Sequence, residues 1–339
     1  MPTPVYRVTL GDRTVYTDEP RASSVVELTV GLDMDTPADQ AVVVLSRLGG
    51  LAPEPGDEVT VELGWSGETP VQVLTGTVHD VETGLLHTRV VGHSPAQALL
   101  RTFVDETFEA KTAGAIARDL AGRAGVGVAR AEDGIDFPAY VVDGRRSVYH
   151  HLRDLATLSG LDLYLDGDGE VVFEAFTGGR QKHAFSGISE LVELESLASE
   201  PGALRIEAWG ESPAGASGGG SWAWLTQDFA GAMGDAGGGE PVRLLERPAL
   251  RTAAGADIAA RAAQGALVRR SRGGRLVSPG RPGIRLGDAI QLDDTPEGCP
   301  EGLYQVRSVR HRLDRRSGFT TTVGFQAFEA GSSLAGFLP

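Results

Sequence analysis

The stretch from Gly56 to Gly92 constrains this chain more than any other feature, because much of it recurs over two hundred positions later. The first copy reads Gly56-Asp57-Glu58-Val59-Thr60-Val61, then Gly76-Thr77-Val78-His79-Asp80-Val81, then Gly84 to Val90. The second reads Gly287-Asp288-Ala289-Ile290-Gln291-Leu292, then Val306 to Leu313 with His311 inside it, then Gly318 to Val323. Matched positions are offset by 231 for the Gly-Asp pair, 232 for the histidine and 234 for the hairpin glycine. So small a drift is what changes in turn length leave behind. Self-similarity of this kind decides the fold before any local reading does. The sequence therefore predicts two related β units separated by a different, inserted domain.

Both copies alternate with a period of two. Val59 and Val61 share one parity while Thr60 and Glu62 take the other, as in a sheet with one buried face. Asp80 to Gly84 and Asp314 to Gly318 each end a polar link in glycine, which is hairpin chemistry. Ahead of the first copy, Val5 to Thr9, Thr14 to Tyr16, Val25 to Leu32 and Ala41 to Leu45 read as further short strands. Strands so closely spaced suggest a small barrel or sandwich.

The pattern changes after Pro95. Thr112 can cap a helix with Ala113, Ile116, Ala117, Leu120, Ala121 and Ala124 on one face and Gly125 past its end. Ser147 can cap a second, carrying Val148, Leu152, Leu155 and Ala156 and stopping at Gly160. A hairpin from Leu161 to Phe176 follows, turned at Asp166-Gly167-Asp168-Gly169. The expected fold is mainly β with an α+β insert: two tube-like β-barrel domains, residues 1–100 and 181–339, related by internal duplication and separated by a small α+β domain, 101–180. The second barrel domain contains a Gly-rich excursion at 210–240 and a helix at about 254–270. Trp222, Trp224 and Phe229 interrupt the excursion, so it is read as packing locally or against a partner rather than as a flexible linker.

Charge and cysteine content limit the function classes. The net charge of −15 argues against general nucleic-acid binding. It is unevenly spread: five basic against fourteen acidic residues over 1–100, eleven against twenty-three over 101–240, but fifteen against nine over 241–339. An acidic portion can thus meet the basic end of a neighbouring copy. The single cysteine, Cys299, rules out a disulfide framework and a cysteine-based metal site and reads as a loop thiol. No run of eighteen apolar residues suggests a membrane span, and Met1 to Thr9 lacks the pattern of a signal peptide.

Several weak motifs in order resemble the phage late control gene D family, tail hub proteins of contractile phages and related injection systems. They are Phe108-Glu109-Ala110-Lys111-Thr112, Arg146 to Ala156, Gly160 to Gly169, Arg205-Ile206-Glu207-Ala208-Trp209, Gly287-Asp288 and Tyr304-Gln305-Val306 with His311. The resemblance implies a homotrimer whose two β units per chain present six similar faces to a hexameric inner tube and threefold symmetry to a central spike, in keeping with the repeat. It implies an inner tube protein, a separate spike protein and other baseplate components as partners. The expected location is the cytoplasm during assembly and then the baseplate of an injection particle or virion.

No catalytic, cofactor or metal constellation emerges. On a regular strand His79-Asp80 and His93-Ser94 point to opposite faces and form no dyad. His150-His151 lacks the i, i+4 spacing of shared metal ligands. Asp166-Gly-Asp168-Gly-Glu170 lacks the later ligands of a calcium loop and reads as a turn. The chain is thus expected to be a structural protein and not an enzyme. The competing readings are a baseplate-associated cell-wall-degrading enzyme, which needs a cleft carboxylate pair, and a carbohydrate or receptor-binding β module, which needs Trp222 and Trp224 as an exposed platform. For the structural reading the candidate interface residues are Arg269, Arg270, Arg272 and Arg275, facing Asp33, Asp35 and Asp39 of a neighbouring copy, together with Trp222 and Trp224.

Overall fold

The alternating apolar positions become the buried face of one long sheet. In the computed structural model, which describes residues 3–17, 25–47, 51–210, 233–297, 299 and 301–328, the first β unit comprises β1 (Pro4–Leu10), β2 (Arg13–Tyr16), β3 (Val25–Asp33), β4 (Gln40–Ser46), β5 (Glu58–Trp65), β6 (Val71–Thr83) and β7 (His87–His93). Along β5, Val59, Val61 and Leu63 are buried and Thr60 and Glu62 are not, as their parity requires. The insert follows as α1 (Ala96–Arg101), β8 (Glu106–Thr112), α2 (Ala113–Arg123), β9 (Val128–Ala131), β10 (Asp136–Val142), α3 (Val148–Ser159), β11 (Asp162–Leu165) and β12 (Val171–Glu174). The remainder is β13 (Lys182–Ser186), β14 (Glu193–Ala198), β15 (Arg205–Trp209), β16 (Gly234–Gly237), β17 (Val242–Glu246), α4 (Ala253–Arg270), β18 (Arg272–Pro279), β19 (Ala289–Asp293), β20 (Gly302–Asp314) and β21 (Gly318–Ala327).

The helix starts show how far local chemistry reaches. Thr112 caps α2 by accepting the Ala115 N–H at 3.1 Å. Thr252 does the same for α4 through Gly255. Ser147 stands at the start of α3 but makes no cap bond; its hydroxyl meets His150 Nδ1 at 2.8 Å instead. Gly160 ends α3 in the left-handed region, where a side chain is strained. The predicted turn at 166–169 is present, with Asp166 Oδ1 accepting the N–H groups of Asp168 and Glu170, both at 3.1 Å.

The two closed barrels expected from the sequence do not form. Along the 13-residue β20, β19 pairs only with its first part, Gly302 to Gln305. The rest of that edge, Ser308 to Asp314, would expose a row of unpaired backbone groups. β3 fills it, antiparallel, from Asp33 to Glu27. Strands of both units thereby join one open 13-stranded sheet in the order β14-β18-β21-β20-β3-β4-β7-β6-β5-β1-β2, with β19 and β13 branching from β20.

The two stretches matched in the sequence share a turn and a bulge. Gly56 N–H donates to Val78 O at 2.9 Å and Val78 N–H to Asp57 O at 2.8 Å; Gly287, Val306 and Asp288 repeat the pair at 3.4 and 2.9 Å. Each Asp carboxylate accepts the N–H three residues earlier, from Glu54 at 2.9 Å and Arg285 at 3.0 Å. Both long strands then bulge one residue later, at His79 in β6 and Arg307 in β20. This register matches His79 with Arg307 and corrects the sequence-based match of His79 with His311.

Three cores result. One fills the first unit with Val8, Leu28, Val43, Val61 and Val90, closed by Phe319 from β21. A second fills β18 to β21 with Ile290, Val306, Val323 and Phe325 and takes in Met34, Tyr164 and Val172. The third joins α2 and α3 to Ile206, Ala208, Leu250, Ala259 and Ala260. Thus α4, predicted over residues 254–270, packs on the insert through small residues, because Ala259 and Ala260 allow close approach. Ile258, Ala262 and Ala266, which share another face of the helix, are only partly covered.

Candidate functional site

The bulge in β20 aims a guanidinium where three parts of the chain meet. Arg307 donates through Nη1 to Asp162 Oδ1 at 2.6 Å and through Nη2 to Asp35 Oδ1 at 3.1 Å. Arg153, from α3, donates to the same Asp35 oxygen at 2.9 Å and to Met34 O at 2.7 Å. Gln305 Nε2 meets the other oxygen of Asp162 at 2.6 Å. Burial opposes ionisation of Asp35, but Arg307 and Arg153 hold its carboxyl below the usual range. The result is a latch of charge-assisted bonds between the β3–β4 turn, α3, β11 and β20. Arg269 and Arg270, at the end of α4, line the same cleft.

The predicted interface residues are therefore partly brought together, but within one chain. Asp35 pairs with Arg153 and Arg307. Asp33 accepts the Asp35 N–H at 2.7 Å. Asp39, only 7% exposed, accepts the Asp33 N–H at 3.0 Å. Burial, with the Asp33 charge beside it, pushes its carboxyl up to about 7. Arg275 lies on β18 and is paired with Glu193 and Glu195 of the neighbouring strand. Arg272 opens the same strand. Trp222 and Trp224 lie outside the described residues.

The strand alternation used against a His79–Asp80 dyad fails at the bulge. Nδ1 of His79 lies 2.9 Å from Asp80 Oδ2, and its Nε2 lies 2.9 Å from an Arg101 nitrogen. His93 packs edge-on to His79 at 5.5 Å, and burial, with the His79 charge, lowers its basicity. Ser94 is engaged with Asp39, whose N–H it accepts at 3.2 Å. Of the helical pair, His151 is buried with Nε2 3.1 Å from Asp143 O, while His150 is exposed. Among the described residues no group of three or more His, Cys, Asp or Glu is placed to hold a metal ion. No helix among them is long and apolar enough to cross a membrane.

Two exposed features present backbone or apolar surface. Leu85 and Leu86 form the tip between β6 and β7 and are 93% and 73% exposed. At one end of the sheet β14 pairs, among the described residues, only with β18, and Ile188, Val192 and Leu197 around it are exposed.

Structural comparison decides what kind of architecture this is. A prophage MuSo2 43 kDa tail protein from Shewanella oneidensis matches over 97% of this chain and 99% of its own, with a TM-score of 0.74 at 14% identity. The fold is that of phage tail proteins. A tail protein from Neisseria meningitidis covers 96% of both chains with a TM-score of 0.71 at 14% identity. A component of the type VI secretion system of E. coli, reported to resemble bacteriophage T4 tail proteins, matches 90% of this chain and 74% of its own, with a TM-score of 0.58 at 11% identity. No family model matches this sequence. No curated protein matches it either.

Proposed function

We propose that this chain is a structural hub in the baseplate of a contractile phage tail or tail-like injection particle. The observation that carries the reading is the end-to-end match with a phage tail protein, 97% of this chain against 99% of that one. The hub works as a homotrimer. The similar Gly-Asp turns and bulges of β5–β6 and β19–β20 give each subunit two related units, so three chains offer six to an inner tube and three to a separate spike protein. Those units descend from one duplicated β module, and the domain limits at about 100 and 180 follow its two copies.

An open sheet suits such a ring. Its terminal strands, β2 and β14, each have one backbone edge unpaired by a described strand, where a neighbouring copy can add. The Leu85–Leu86 tip is apolar surface suited to the tube or another baseplate component. Arg272 and Arg275 on β18 bring basic groups beside the β14 edge. The role is binding rather than catalytic: the residues with the strongest charge chemistry, Arg307, Asp35 and Asp162, are engaged with one another.

Light scattering on the purified full chain tests this. The expected mass is three times 35.6 kDa, with ring-shaped particles in negative stain. A single-chain mass at every concentration, with no ring on addition of the cognate tube or spike, refutes the hub reading.

A further inference from the structure

The cleft between α3, α4 and β20 has a volume of about 90 Å³, room for a group of a few heavy atoms with water. The charged residues lining it are Arg153, Arg269, Arg270 and Arg307 against Asp35 and Asp162, an excess of two positive charges. The carboxyl ends of α3 and α4 lie there too, and each helix end contributes about half a negative charge. The excess falls to about one positive charge but does not vanish.

The excess sits on Arg269 and Arg270. Arg153 is engaged with Met34 O, Tyr149 and Asp35. Arg307 spends both Nη groups on Asp162 and Asp35, while its Nε is buried without a partner. The guanidinium groups of Arg269 and Arg270 make no hydrogen bond or ion pair among the described residues. Burial disfavours the charge of Arg269, and although Asp162 favours it, Arg307 and Arg270 oppose it as like-charged neighbours. Its guanidinium is thus held below its usual basicity, and a further negative group would offset the cost. Ala262, Ala263 and Ala266 keep the α4 wall low enough for such a group to enter.

We propose that this cleft binds an oxyanion, a carboxylate or a phosphate, through Arg269, Arg270 and Arg307. Guanidinium forks match the planar pair of oxygens in a carboxylate and two of the oxygens in a phosphate. Asp35 and Asp162 hold Arg307 in place, each taking one of its five N–H donors and leaving the others for the anion. The site stands whether or not the chain is a tail hub, since it rests on the charges of one cleft.

The test is calorimetric titration of the full chain with inorganic phosphate, and separately with a short polyglutamate peptide, at ionic strength held constant with potassium chloride. Saturable binding with one site per chain is expected. The double variant Arg269→Gln, Arg270→Gln should weaken it about tenfold or more, the loss of one or two charge-assisted bonds. Without anion this variant should melt no lower than the parent, because the change relieves repulsion. Arg270→Gln alone, at an exposed position, should weaken binding in the same direction. Arg275→Gln, on another strand, should leave it unchanged. Tighter binding of the peptide assigns the site to an acidic segment of a partner chain, and a preference for phosphate assigns it to a free ion. Failure of the parent to bind either probe, or equal affinity in the double variant, overturns the proposal.

Discussion

Asp39 and His311 are buried titratable groups whose effects on stability oppose each other, and removing Asp39 should uncover the other. His311 in β20 is fully buried against Phe319, with Nδ1 3.0 Å from the Thr321 hydroxyl, and burial lowers its pKa from 6.5 to about 3. The unfolded chain therefore binds a proton that the native one does not between these values, and stability falls as the pH drops from about 6.5 toward 3. Asp39 is raised from 3.8 to about 7, so the native chain holds a proton that the unfolded one releases, and stability falls as the pH rises from about 3.8 toward 7. Each slope is about 1.4 kcal/mol per pH unit. They nearly cancel between pH 4 and 6.5, with His93, also lowered, adding modestly to the His311 side. Asp39→Asn keeps an oxygen for the Asp33 N–H and removes the ionisation. Urea midpoints followed by tryptophan fluorescence from pH 4.5 to 8 should be nearly level for the parent below pH 6.5. For the variant they should decline steeply on acidification, by about 2–3 kcal/mol between pH 6.5 and 4.5. At pH 8 the variant should be the more stable by up to about 4 kcal/mol, the full cost of an ionised Asp39. A variant with the parent's level profile, or one less stable at pH 8, would falsify the reasoning.

Other expectations follow from particular contacts. Asp162→Ala should cost about 2–3 kcal/mol, because Arg307, 16% exposed at its side chain, and the Gln305 amide each lose a partner; a change below half that in denaturant unfolding would show the latch to be slack. Gly287→Ala should cost about 3 kcal/mol, since its φ of +79° is strained for a side chain and the new Cβ would stand 2.2 Å from the Tyr164 hydroxyl. Gly56→Ala, at a φ of +101° with open space, should cost only the conformational part, about 1–2 kcal/mol, and equal costs at the two sites would contradict the close approach. Replacing Leu85 and Leu86 by Ser should leave the melting temperature of the isolated chain unchanged while weakening assembly with tube protein in co-sedimentation; loss of stability instead would mean the tip supports the fold.

Along the sequence, what could be read was what is decided by neighbours in the chain. Period-two alternation marked β5, β7 and β21, and Thr112, Gly125 and Gly160 marked the ends of two helices, because cap and turn energies depend on residues a few positions apart. The resemblance to tail hub proteins pointed to the tail-protein fold that structural comparison then showed. The bulges at His79 and Arg307 were hidden, since one extra residue in a strand leaves alternation on either side intact and only pairing with a neighbour reveals it. That omission misplaced the His79 match and turned the His79–Asp80 pair away from itself. Nor did any local signal tell β3 to complete the edge of β20, so closed barrels were expected where one open sheet forms. Arg307 and Asp35 are 272 residues apart and meet only because that pairing sets their register. Sequence alone marked strands such as β5, β7 and β21, the Thr112 cap and the uneven charge; tertiary structure decided which edges join and which charges face each other, because those energies arise between segments that no local pattern links.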